Sequence, residues 1–143
     1  MEPENQMPPL FHLSFHVHDL NQARHFYGDI LGCDEGRSTD TWIDFNFFGH
    51  QLSVHLGTPV DQTITSQVGE HDVPMPHFGV ILEMSEWKNL MALLERKGLA
   101  FTIAPSARFA DQAGEQATAF LRDPSGNALE FKGFNDLARV YER

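Results

Sequence analysis

Eight histidines in 143 residues are the feature of this chain most able to do chemistry. Around the first of them, residues 11–18 alternate strictly. Phe11, Leu13, Phe15 and Val17 fall on one side, and His12, Ser14, His16 and His18 on the other, the period of a strand with one apolar face. His77 opens a second strand-like stretch, 77–84, at the corresponding place. In the last such stretch, 127–134, Glu130 and Lys132 alternate with Leu129 and Phe131. Two imidazoles and one carboxylate from three strands can hold one side of a metal and leave its other positions open to substrate or oxygen. Fe(II), Mn(II), Ni(II), Co(II) and Zn(II) all suit such donors. His12, His77 and Glu130 are therefore the candidate metal ligands. Each alone is more simply a surface residue of a strand; their matched positions in a repeated pattern single them out.

That pattern sets the elements that must position them. Asp19 is a candidate helix cap, Leu20, Ala23, Tyr27, Ile30 and Leu31 recur at helical spacing, and Gly32 supplies the stop. A turn-rich piece leads to strand-like residues 41–48, Gly49-His50 reads as a turn, and 51–56 alternates again. Residues 58–75, with Pro59, Gly69 and Pro74, read as a connector. The order then restarts. A strand over 77–84 precedes a helix capped by Ser85, carrying Trp87, Leu90, Met91 and Leu94, and stopped by Gly98. Strands follow over 100–104, 117–123 and 127–134, with residues 105–116 as a long loop and Asp123-Pro124-Ser125-Gly126 as a turn. The chain thus reads as one βαβββ motif written twice, about 11–57 and 76–134, with a tail over 135–143. An α+β fold is expected: one domain of two modules whose mixed sheets curl around a cavity, with Trp87 and Met91 seating the second helix. A simple parallel alternation of strand and helix is excluded.

Composition narrows the function classes. Forty-one per cent hydrophobic residues and twelve Phe indicate a globular chain. Ten basic against twenty acidic residues leave a net charge of −10, which disfavours nucleic-acid and anionic-membrane partners. Cys33 is the single cysteine, so an internal disulfide framework is excluded, and no apolar run approaches the roughly 20 residues a bilayer span needs. The acidic Met1-Glu2-Pro3-Glu4 start is unlike a signal peptide, and a cytoplasmic protein is expected.

The segments Phe11-His12-Leu13-Ser14-Phe15-His16-Val17-His18-Asp19-Leu20, Phe26-Tyr27 through Leu31-Gly32-Cys33, and Asp123-Pro124-Ser125-Gly126-Asn127-Ala128-Leu129-Glu130-Phe131 resemble the vicinal oxygen chelate superfamily. That group includes glyoxalase I, extradiol ring-cleaving dioxygenases, fosfomycin-resistance enzymes and bleomycin-resistance proteins. The resemblance covers Leu10 to Phe134 and implies that His12, His77 and Glu130 bind the metal and that the protein is a homodimer. Glyoxalase I enzymes add a fourth ligand at a place that falls here on Ser53, flanked by Gln51 and His55. Extradiol enzymes use three ligands and an acid/base histidine near this strand, which fits His55; an imidazole titrates near neutrality. Many of them hold a tyrosine where this chain has Phe120. The segment Trp42 to Gln51 is similar to a small subgroup described as predicted extradiol dioxygenases. The expectation is a metal-dependent, Fe(II)-using extradiol-type dioxygenase, an oxidoreductase acting on a small catechol-like aromatic. A glyoxalase-like lyase, a fosfomycin-type thiol transferase and a non-catalytic binding or resistance protein are the alternatives.

His16, Ser53, Phe120 and Lys132 are the candidate substrate-binding residues: His16 shares the His12 face, and Lys132 shares the Glu130 face and suits an anionic group. His25, His50 and His71 read as solvated, Cys33 as inert, and the 105–116 loop, with Arg108 and Phe109, as a candidate lid.

Overall fold

The structure, a computed structural model, describes residues 7–108 and 115–142. The chain divides into two compact units, Met1–Thr58 and Pro59–Arg143.

In the first unit β1 (His12–Val17) leads into α1 (Leu20–Ala23) and a π-helical continuation, Arg24–Ile30. Three strands follow: β2 (Asp34–Ser38), β3 (Trp42–Phe47) and β4 (His50–Leu56). Asp19 caps α1 as expected, its carboxylate accepting the Gln22 N–H at 2.9 Å. The sheet order is β1-β4-β3-β2, with β1 and β4 parallel and the other pairs antiparallel. β2 lies in the piece read from sequence only as turn-rich; all five of its residues are exposed, so no apolar alternation marks it. The helical segment covers the apolar face, where Tyr27 is buried against Phe15, Phe26 and Phe45 with centroids 4.8 to 6.1 Å apart. Between β3 and β4 the turn is Phe48-Gly49, not Gly49-His50. Both residues have positive φ, 52° and 90°, as a two-residue hairpin of this twist requires.

The second unit contains the hairpin β5 (Thr65–Val68) and β6 (His71–Pro74), in what sequence had offered as a plain connector. Then come β7 (His77–Glu83), α2 (Met84–Arg96), β8 (Ile103–Arg108), β9 (Gln116–Arg122) and β10 (Ala128–Phe134). Their order is β7-β10-β9-β8, with β7 and β10 parallel, so the topology of the first sheet recurs. The expected α+β pair of βαβββ modules is present. α2 packs on one face as expected: Trp87 and Met91 are buried, and the Trp87 Nε1 donates to the Phe131 carbonyl at 2.8 Å. The helix begins one residue before Ser85, after Glu83, without a side-chain cap, so Ser85 is not its cap. β8 runs on to Arg108, past the expected end at 104. The Arg108 side chain and Phe109, named for a lid, lie outside the described residues. Asp123 pins the last hairpin, its Oδ1 accepting the N–H groups of Ser125 and Asn127 at 2.9 Å each. No helix among the described residues is long and apolar enough to cross a membrane.

Candidate functional site

On β10, Leu129, Phe131 and Gly133 face α2, and the alternate residues Glu130, Lys132 and Phe134 line a cavity of about 320 Å³ on the opposite side of the sheet. Thr118 and Phe120 of β9 and His77 of β7 line it too. Parallel pairing sets Gly79 opposite Glu130 and leaves His77 one alternate position back. From there the His77 Nε2 comes within 3.2 Å of Glu130 Oε1. Gly79 is required at this crossing, because a Cβ there would overlap the Glu130 backbone carbonyl. The other ring nitrogen, His77 Nδ1, donates to the Pro74 carbonyl at 2.7 Å. A carbonyl only accepts, so Nδ1 carries the hydrogen and Nε2 is turned towards the carboxylate. Thr118 Oγ1 donates to the second carboxylate oxygen at 2.5 Å, and the Phe120 ring stands edge-on to His77, 5.0 Å away at 81°.

This arrangement polarises the pair. The hydrogen bond to Glu130 holds the His77 imidazole above its ordinary value of 6.5, against the opposing pull of burial. Burial would raise Glu130, but hydrogen bonds from His77 and Thr118, with the charge of Lys132, outweigh it and hold the carboxyl below 4.5. The β5–β6 hairpin forms a further wall through Val68, His71 and Val73. His71, read as solvated, is exposed as expected and also stands in the cavity lining.

The first unit carries its own polar network. Across β1, β4 and β3 the register gives three successive rows: His12–Gln51–Asn46, Ser14–Ser53–Asp44, and His16–His55–Trp42. Gln51 Nε2 points at Asp44 Oδ2 at 3.5 Å and Ser53 donates to Asp44 Oδ1 at 2.5 Å. A carboxylate only accepts, which orients the Gln51 amide and turns its Oε1 to His12 Nδ1 at 2.7 Å. His12 therefore donates from Nδ1 and keeps the lone pair on Nε2, where the Ser14 hydroxyl sits at 3.2 Å. Both histidines thus have Nδ1 tied to a protein acceptor, the arrangement that fixes ring and tautomer in metal-binding imidazoles.

Neither Asp44 nor Thr118 was singled out by sequence. Comparison of the two registers shows what Asp44 is: Glu130 lies opposite Phe120, and its counterpart Ser53 lies opposite Asp44. The carboxylate missing from the Ser53 place stands one strand over. Placing the turn at Phe48-Gly49 would have paired 44 with 53 from sequence alone.

The structure brings His77, Glu130, Phe120 and Lys132 to one cavity, and His12, Ser53, His16 and His55 to one face of the first sheet. His55 stacks on Trp42 with centroids 6.2 Å apart. It lies four residues along from the His12 row, about 13 Å of strand, with side chains leaving the face in parallel. His16 packs its ring where a Gly57 Cβ would stand. The Cys33 thiol is buried and pushed up to about 12 by burial and by neighbouring Asp34, so it offers no thiolate. Among the described residues no group of three His, Cys, Asp or Glu side chains is gathered for a metal. The donors nonetheless suit a divalent ion: an anionic Glu130 in contact with His77 Nε2, which gives up its hydrogen to bind a metal, and a second imidazole, His12, whose Nδ1 is likewise tied to a protein acceptor.

The chain matches the Glyoxalase/Bleomycin resistance protein/Dioxygenase superfamily over residues 10–131. A search of curated proteins finds no significant match. Among solved structures, a glyoxalase/bleomycin resistance protein/dioxygenase from Alicyclobacillus acidocaldarius is 35% identical, with 93% of this chain and 96% of that one covered and a TM-score of 0.75. A glyoxalase/dioxygenase from Nostoc punctiforme (17% identity, 95% and 97% covered, TM-score 0.67) has the same fold. So does the fosfomycin resistance protein FosX from Listeria monocytogenes (16% identity, 93% and 98% covered, TM-score 0.66). With its repeated βαβββ topology and a match over most of its length, the chain belongs to the glyoxalase/bleomycin resistance/dioxygenase superfamily, the vicinal oxygen chelate proteins.

Proposed function

We propose that the protein is a metal-dependent enzyme in which His12, His77 and Glu130 hold one divalent ion, Fe(II) in first place, and that it opens the ring of a small catechol-like aromatic beside its paired oxygens, with O2 as the oxidant and both of its atoms retained in the product. The carrying observation is the His77–Glu130 contact inside a cavity, with His77 Nδ1 already committed to Pro74. When bound, the ion supplies Lewis-acid polarisation and a template for two neighbouring substrate oxygens. The protein's own groups do the rest. Thr118 and Pro74 keep Glu130 and His77 aimed, Gln51 and Asp44 do the same for His12, and Phe120 with the hairpin valines presents an apolar wall to a ring. His55, displaced along the strand from His12, is assigned to proton exchange with substrate rather than to the metal.

Anaerobic reconstitution with Fe(II), followed by oxygen uptake on a panel of catechols, tests this reading. Stoichiometric metal with oxygen uptake is expected. Metal held without uptake on any catechol would move the protein to lyase or transferase chemistry. A four-ligand, glyoxalase-like site is the second reading, and Asp44 is the observation that favours it, a carboxylate bonded to Ser53 in the row beside His12.

A further inference from the structure

We infer that the substrate of this cavity carries a carboxylate, and that Lys132 is its counter-ion. The inference rests on the metal reading above only for which end of the substrate lies at Glu130.

Lys132 stands two residues beyond Glu130 on the cavity face of β10. It is the one Lys or Arg in the described lining and is half-buried; its charge acts on Glu130 through space, but among the described residues it has no hydrogen bond and no ion pair at contact distance. Glu130, the one acid in that lining, is engaged by His77 and Thr118. A half-buried ammonium in the cavity lining, with no acid in contact, is a group able to bind an anion.

The cross-strand rows define where that anion sits. Lys132 lies opposite Thr118, and Thr118 opposite Ser106 on β8; the Thr118 hydrogen is spent on Glu130, so this row offers an anion the Lys132 ammonium and the Ser106 hydroxyl. The adjacent row is Glu130, Phe120 and Ile103. A two-residue step along a strand is about 6.6 Å, the reach of a six-membered ring with substituents at opposite ends. A ring with its paired oxygens at Glu130 therefore brings a para carboxylate to Lys132. The space, about 320 Å³, suits a single ring and little more. One cation not held in contact by any protein acid matches one negative charge, which selects a carboxylate over a phosphate dianion facing Glu130.

The test uses metal-free full-length protein and titrates benzoate against benzamide, its neutral counterpart of the same shape, by NMR shift perturbation. Benzoate should bind about tenfold more tightly than benzamide, Lys132→Met should abolish that preference, and Lys132→Arg should restore it. Equal binding of the two probes, no binding of either, or a preference that survives Lys132→Met would overturn the inference. Metal content of wild type and Lys132→Met, measured alongside, separates the two readings. Full metal without an anion preference discards the carboxylate alone; anion preference without metal discards the metal reading alone.

Discussion

Glu130→Ala removes the only anionic donor of the proposed triad while leaving the α2 face of β10 unchanged, so metal stoichiometry should collapse and the fold should persist. Elemental analysis and circular dichroism on one preparation check it; full metal in the variant would remove the triad. The same pair sets a pH profile in the metal-free protein. His77, raised from 6.5 by its bond to Glu130, contributes stability that is complete below 6.5 and lost as pH rises through its raised value. Glu130, whose hydrogen bonds outweigh burial and lower it from 4.5, contributes above 4.5 and loses that contribution as pH falls through its lowered value. The pair therefore stabilises most between 4.5 and 6.5, and Glu130→Gln should flatten both flanks of a denaturation-midpoint series. An unaltered profile would discard the pair. In the first unit, Gln51→Leu frees the His12 ring, and metal affinity should weaken by about 10- to 100-fold with the fold intact; equilibrium dialysis against a chelator buffer reads the change. At this scale the alternation of His12, Ser14 and His16 and of Glu130 and Lys132 was legible, because strand faces follow directly from a period of two. Asp44 and Thr118 were not, since each acquires its role from a neighbour on another strand, and that depends on a register a one-residue error in the turn destroys.

At the scale of elements, β7 and β10 meet so closely at Gly79 that no side chain fits there. Gly79→Ala must push β7 away from Glu130, and a destabilisation of about 2–4 kcal/mol together with loss of metal is expected. Urea denaturation and metal content measure the two effects, and a normally stable, fully metal-loaded variant would refute the close crossing. By contrast, Gly32 and Gly98 act only as helix stops, with positive φ and open space around them. The two helices were visible in sequence because each buries an apolar stripe, with Trp87, Leu90, Met91 and Leu94 in one and Phe26 and Tyr27 in the other. β2 was invisible because all of it is exposed. The β5–β6 hairpin was missed for a related reason. It buries only Val73 and Pro74, too few positions to show a period, yet it brings Val68, His71 and Val73 to the cavity.

The duplicated order of the whole chain was the most legible feature, because it depends on counting elements rather than placing their ends, and the two sheets repeat it strand for strand. What the chain does in company is proposed from the outermost strands of each sheet, taken unit by unit. β1 and β7 are edge strands of their sheets, with β4 and β10 as their partners. Ahead of β1, Leu10 is 54% exposed, and on β7 Ile81 is 38% exposed. Open edges with apolar side chains are surfaces that proteins protect by pairing or by covering. A second copy is the partner proposed here, through the twofold pairing commonest among homo-oligomers. Sedimentation at micromolar concentration should accordingly give a species of about twice the 16.2 kDa chain mass. Ile81→Glu and Leu10→Glu, each placing a charge on an exposed site where the monomer fold tolerates it, should shift that species towards the monomer and make its apparent mass depend on concentration. If wild-type protein sediments at the mass of one chain across that range, the dimer is wrong, and the exposed edge residues need another explanation. If both variants remain dimeric, the dimer stands but its contact lies elsewhere than on these edges.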